Sequence, residues 1–150
     1  MEAEQGTRVM EAEQGTRAME AEQGTRAMGV LEILQAIDSL KPNAYPLEEK
    51  LAWLSTLDGL LHGEVFQAHE GSPPAFAPYE GQEALERKLL APEPYGRQLY
   101  LTWLESRLDY YNGDTERFNN SLAQFRGAYS EFSRHYNRTH RPIGATRKFW

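Results

Sequence analysis

The sequence predicts an all-α fold: a small helical bundle of about four helices plus a short extra helix, with an extended C-terminal tail and a repetitive N-terminus that stays disordered. Three observations predict it. Residues 94–137 carry aromatic and aliphatic side chains at helical period almost throughout. Two shorter segments, 30–40 and 47–65, show the same kind of periodicity. Proline and glycine gather between these segments, at 67–82 and after 137.

Residues 94–137 hold the strongest signal. Phe118, Leu122, Phe125, Tyr129, Phe132 and Tyr136 recur at alternating spacings of four and three, which places them on one helical stripe. Arg117, Asn120, Gln124 and Ser130 fall on other faces. The preceding half has Tyr95, Leu99, Trp103 and Tyr110 along one line and Tyr100, Leu104, Leu108 and Tyr111 beside it. So broad a stripe predicts a helix covered on more than one side. Between the halves lies Asn112-Gly113-Asp114. Gly113 can adopt the left-handed conformation that stops a helix, and Asp114 can cap the next. A connection this short makes the two helices antiparallel neighbours.

Residues 1–27 are three copies of a nine-residue unit, MEAEQGTRV, MEAEQGTRA and MEAEQGTRA. Each has too few apolar side chains to offset chain entropy, and its glycine discourages a continuous helix. The period is shorter than that of the usual solenoid repeats. One functional reading is an acidic interaction arm. The other is a recent duplication or an upstream start, since Met10, Met19 and Met28 could each begin translation.

From Met28 the composition changes. Val30, Leu31, Ile33, Leu34, Ile37 and Leu40 predict a first helix that ends before Lys41-Pro42, because the residue before proline avoids helical geometry. Asn43-Ala44-Tyr45 reads as a turn. Pro46 suits a first helical position, and Glu48 and Glu49 complement the helix dipole there. The second helix aligns Leu47, Leu51, Leu54, Leu57 or Asp58, Leu61 and Val65. Trp53 and Leu60 lie off that line, facing another element or another subunit. Residues 67–82 are a loop pinned by Phe76 and Tyr79, and 83–90 supplies a turn or two of helix before Ala91-Pro92. The domains expected are therefore 1–27, a helical domain over 28–140, and a tail over 141–150.

That tail has its own chemistry. From Ser133 to Trp150 there is no acidic residue, while Arg134, Arg138, Arg141, Arg147 and Lys148 are joined by His135 and His140. Phe149 and Trp150 end the chain. On a protein of net charge −6, this reads either as a docking arm for an acidic partner or phosphates, or as a solvated end.

Several function classes are disfavoured. There is no cysteine, so disulfides, thiolate catalysis and cysteine-ligated zinc are excluded. His62, His69, His135 and His140 match no metal-ligand spacing, so no metal is expected. There is no phosphate-binding glycine loop and no GxSxG elbow. Glu48 and Glu49 are adjacent and point to different faces, so they form no carboxylate dyad. Neither an enzyme nor a cofactor is expected. No apolar run reaches the roughly 18 residues of a membrane span, and no signal peptide is evident, which makes a soluble intracellular product the expectation. Arg117, Arg126 and the tail could contact phosphates, but Glu116 and Glu131 share the candidate recognition helix.

Three stretches resemble a family of small helical proteins encoded beside the portal gene in tailed bacteriophages. They are Asp38-Ser39-Leu40-Lys41-Pro42-Asn43-Ala44-Tyr45; Leu89-Leu90-Ala91-Pro92-Glu93-Pro94-Tyr95; and Asp109-Tyr110-Tyr111-Asn112-Gly113 through Phe118-Asn119-Asn120-Ser121 to Tyr136-Asn137-Arg138-Thr139-His140-Arg141-Pro142. The likeness spans 28 to about 143 and leaves out the N-terminal repeats. It implies a head–tail connector, a virion protein that forms a ring, usually twelve-fold, under the portal. Such a ring extends the DNA channel without sequence-specific DNA binding and joins the next neck component. The resemblance also implies portal docking through the C-terminal segment, here Arg138, Arg141, Arg147, Lys148, Phe149 and Trp150. Exposed aromatic surface at Trp53, Trp103, Tyr100 and Tyr111 would suit contacts between subunits. The competing expectation is a phage DNA-binding helical protein, such as a small packaging (terminase) subunit.

Each core aromatic or leucine on the stripe is expected to contribute roughly 1.5–3 kcal/mol by burial. Phe125→Ala should therefore cost about 3–5 kcal/mol in a denaturant titration, and a loss below about 1 kcal/mol would remove Phe125 from the core.

Overall fold

In a computed structural model, residues 26–71 and 75–143 are described. The fold is all-α. Helix α1 spans Val30–Leu40, α2 Leu47–Leu61, α3 Tyr95–Tyr111 and α4 Thr115–Thr139. Helix α2 runs on into a π turn, His62–Phe66, and a 3₁₀ turn covers Gln82–Glu86. Among the described residues there are only isolated β-bridges, Arg26 with Glu93, Gly29 with Lys88, and His69 with Pro142.

The α3–α4 pair forms as its sequence dictates. Gly113 has φ +77°. The Asp114 amide donates to the Asp109 carbonyl (3.1 Å) and the Gly113 amide to that of Tyr110 (3.1 Å), the paired bonds of a Schellman stop. Asp114 then accepts from the Arg117 amide at 3.1 Å and caps α4. Ring contacts join Tyr110 to Phe118, Trp103 to Phe125 and Tyr95 to His135. The residue numbers fall along one helix as they rise along the other, so the helices are antiparallel over their shared length.

Helix α1 buries Val30, Ile33, Leu34 and Ile37 and packs on α3 and the 3₁₀ turn. Its start is secured by Glu32, whose carboxylate accepts from the Gly29 amide at 3.4 Å. Leu31 and Leu40, at 43% and 61% exposed, lie outside the core stripe. The turn after α1 is held by Asn43, whose side-chain oxygen accepts from the Tyr45 amide at 3.2 Å. Helix α2 also packs on α3. It buries Leu51, Trp53, Leu54, Leu57, Asp58 and Leu61. The π turn accommodates one extra residue per bond, the Gln67 amide reaching the His62 carbonyl at 3.0 Å, and keeps Val65 and Phe66 buried.

Several expectations are corrected. Pro46 has φ −69° and ψ 157°, so it caps α2 from outside rather than opening it. The helix expected at 83–90 is the 3₁₀ turn Gln82–Glu86, which ends at the extended Arg87. Helix α4 continues past Asn137 to Thr139, which puts Arg138 on its last turn. Folded contacts begin before Met28: Arg26 pairs with Glu32 at 3.1 Å and Glu93 at 3.4 Å. The aromatic surplus largely disappears. Tyr100 is fully buried and Trp53 is 7% exposed, stacked on Tyr111 at 5.5 Å. Trp103 donates its indole N–H to the Trp53 carbonyl at 2.7 Å. Only Tyr111 of the four stays open, together with Tyr110. The remaining repeat residues, 1–25, and the tail residues 144–150 lie outside the described residues.

Gly96 marks the tightest approach. A Cβ there would sit 2.1 Å from the Ala91 carbonyl oxygen, backbone that cannot swing aside. Gly96→Ala is expected to destabilise by about 1–3 kcal/mol despite the helix preference of alanine; a neutral or stabilising result in thermal unfolding would refute this packing.

Candidate functional site

The densest chemistry in the molecule is sealed. The Asp58 carboxylate accepts hydrogen bonds from the Tyr79 and Tyr100 hydroxyls, both at 2.5 Å, and from the Leu90 amide at 3.2 Å. Tyr100 in turn accepts from the Ala91 amide at 2.8 Å. Asp58 and Tyr100 are fully buried and Tyr79 nearly so, which leaves a substrate no approach. Burial pushes the Asp58 carboxyl above its usual range, against the pull of its three donors. Burial and the adjacent Asp58 charge push both tyrosines far up. This cluster joins α2 to the 75–81 loop, to residues 89–91 and to α3.

Accessible features lie at the two ends of the α3–α4 hairpin. At the turn end, Lys41 makes an ion pair with Asp109, and Ser121 donates to the second Asp109 oxygen at 2.9 Å. The Tyr45 hydroxyl donates to Asn112 at 2.7 Å. A polar cleft of about 380 Å³ opens here, lined by Lys41, Glu105, Asp109, Arg117, Asn120, Ser121 and Gln124, with Leu40 at its edge. Leu40, Tyr110 and Tyr111 present apolar surface at this end, each more than half exposed. Arg117 is held by Asp114 at 3.3 Å.

At the open end, an apolar groove of about 510 Å³ runs between residues 90–95 and the last turns of α4. Phe66, Tyr95, Phe132, His135, Tyr136 and His140 line it. The His140 ring stacks on Tyr136 at 3.7 Å, and Tyr95 meets His135 at 4.6 Å. Three arginines give this end its basic character, with Arg134 and Arg138 exposed on α4 and Arg141 exposed just after it. The backbone of Arg141 accepts from the Glu70 amide at 2.8 Å, and the Ile143 amide donates to the Ala68 carbonyl at 2.9 Å. The start of the expected tail is thus tied to the protein's own 68–70 segment.

Residue stretches far apart in the chain meet pairwise in these two places. Residues 38–45 join 109–121 at the turn end, and 89–95 join 136–140 at the open end. Helix α3 has 17 residues, so the ends are about 24 Å apart. Of the docking residues expected, Arg138 and Arg141 share the open end, while Arg147, Lys148, Phe149 and Trp150 fall outside the described residues. The Lys41–Asp109–Ser121 cluster was not foreseen. Lys41 follows the end of α1, Asp109 lies on α3 and Ser121 on α4, so the three have no shared period and only the packing brings them together.

His62 and His69, which invite a metal reading by their nearness in sequence, are both buried. His69 donates Nδ1–H to the Val65 carbonyl at 2.7 Å. Among the described residues, no three His, Asp or Glu side chains come together as a metal site, and no helix is long and apolar enough to cross a membrane. Comparison with known protein families, with curated proteins and with solved structures gives no match.

Asp58 supplies a pH signature. Its folded pKa lies above the ordinary 3.8, so the proton is held more tightly folded than unfolded. The stability this adds is fully present below 3.8 and is lost as pH rises through the raised value. The stability of the wild type relative to Asp58→Asn is therefore expected to rise as pH falls from about 8 to about 4. Denaturant titrations at several pH values check this, and a constant gap would contradict it.

Proposed function

We propose that this chain is a head–tail connector of a tailed bacteriophage: a small helical bundle that assembles as a ring, twelve-fold in the usual arrangement, beneath the portal. The ring extends the DNA channel and joins the capsid to the next neck or tail-completion component, so the protein resides at the virion neck. The observation that carries this reading is the pairing of the family-like stretches into two accessible surfaces at opposite ends of one rigid hairpin. An adaptor between two assemblies needs two separate docking faces, and a helical hairpin holds them at fixed spacing. The open end, with Arg134, Arg138 and Arg141, faces the portal.

A structural role also fits the chemistry. The buried carboxylate and tyrosines are closed to substrate, and the accessible polar cleft holds an acid already paired with a lysine and a serine. A net charge of −6 suits a channel wall that lets DNA slide rather than gripping it.

One observation favours the alternative of a DNA-binding packaging subunit: Arg126, Arg134 and Arg138 are all exposed on α4. Glu131 lies among them on the same helix, which weakens a phosphate-tracking face. Light scattering of the full chain, alone and with the portal encoded beside it, separates the two. A ring, or a complex adding about one copy per portal subunit, is expected. A monomer that ignores portal and shifts DNA at physiological salt would overturn the connector reading.

A further inference from the structure

A third concavity is used by neither end of the hairpin. A groove of about 450 Å³ lies between the N-terminal half of α2 and the 78–81 loop, lined by Glu48, Leu51, Ala52, Pro78, Tyr79 and Glu80 among others. Its floor is apolar and preformed. Tyr79 is anchored by its hydroxyl on Asp58 and by its amide on the Ser55 hydroxyl at 2.8 Å. Its charged lining residues are the two glutamates, both exposed. The nearby Arg87 is engaged elsewhere: it donates to the Ala77 and Pro78 carbonyls at 2.8 and 2.9 Å and lies over the Tyr79 ring. The groove therefore asks for a short segment with apolar side chains and positive charge.

This chain carries such a segment. Its last four residues are Arg147, Lys148, Phe149 and Trp150. We infer that the C-terminal Arg-Lys-Phe-Trp of one copy docks in the Glu48–Glu80 groove of the next copy, closing the ring head to tail. The aromatic rings cover Leu51, Ala52 and Pro78, and the two cations meet the two glutamates.

Reach favours a neighbour over the same chain. The described tail ends at Ile143, tied beside Ala68. From Val65 back to Leu51 the helical axis rises about 21 Å. Phe149 is the sixth residue after Ile143, about 21 Å away only at full extension, with no slack to travel around the surface. Charge argues against the open-end groove as the tail's own seat, since that groove shares the turns of α4 that carry Arg134 and Arg138. A heterologous contact of this kind forms a closed ring when its rotation closes. The inference rests on the ring part of the proposed function and leaves the arginines of the open end to the portal.

The chain has no cysteine, so an introduced pair reports only on itself. In the full chain carrying Ala52→Cys and Thr146→Cys, mild oxidation is expected to give a ladder of covalent dimers and higher multimers on a denaturing, non-reducing gel. Adding Glu48→Lys and Glu80→Lys should reduce the ladder about tenfold, the size of two exposed charge pairs turned repulsive. Adding Arg147→Glu and Lys148→Glu to that variant should restore it. A fast-migrating monomer linked within itself, no link at all, or a ladder indifferent to these charges overturns the inference. If the ladder is missing while light scattering of the parent chain still finds a ring, only the tail contact falls. If the parent is a monomer as well, the ring reading falls with it.

Discussion

The carboxylate of Asp58 is the interaction on which the rest of the structure depends. An ion buried in an apolar interior is costly unless donors surround it. Here two tyrosine hydroxyls and a backbone amide converge on it from three different parts of the chain. Tyr79 belongs to a loop with little hydrogen bonding of its own, Leu90 to the segment before α3, and Tyr100 to α3. Removing any one would leave the others facing an incompletely compensated acid. The carboxylate thus pins Tyr79 and Leu90, at the two ends of the segment 79–90, against α2, although no helical period of their own would hold them there. The groove at Glu48 and Glu80 and the walls at Leu90 and Pro92 both inherit their shape from this arrangement.

The hairpin of α3 and α4 supplies the second constraint. Its stop and cap are local, written in Gly113 and Asp114, and its long seam is aromatic. Edge-to-face and tilted ring contacts along it favour defined orientations beyond simple area burial. Arg107 adds to the seam by lying over Trp103, Tyr110 and Phe118. A stiff rod of this sort separates what happens at its turn from what happens at its open end, which suits a part that transmits position between two neighbours. The proposed adaptor role draws on that separation rather than on any reactive group.

Residues 38–45, 89–95 and 109–142 are far apart in the chain and meet in space. Lys41 and Asp109 come from different stretches and form one ion pair. Tyr45 and Asn112 do the same through a hydrogen bond. Residues 89–95 and 136–140 form the two walls of one groove. Stretches that meet in this way constrain each other, and they join the buried core at Leu89, Ala91 and Tyr136 to surface clefts at the two ends of the hairpin.

By itself the sequence determined the helices, the breaks between them and the antiparallel hairpin. Those features follow from period, proline geometry and one left-handed glycine, all of which act over a few residues. The alternative it left open at Leu57 or Asp58 resolves into both residues being buried, the acid because tyrosines more than 20 residues away supply its donors. The tertiary structure alone decided which aromatics are spent inside. Trp53 and Tyr100 carry the same apolar signal as Tyr110 and Tyr111, and only the position of α2 against α3 buries the first pair and leaves the second open. It also decided the Lys41–Asp109–Ser121 cluster, the π turn after α2 and the anchoring of Arg141 on residue 70. Each depends on contacts between residues far apart in the chain, and periodicity within one segment carries no information about its partners.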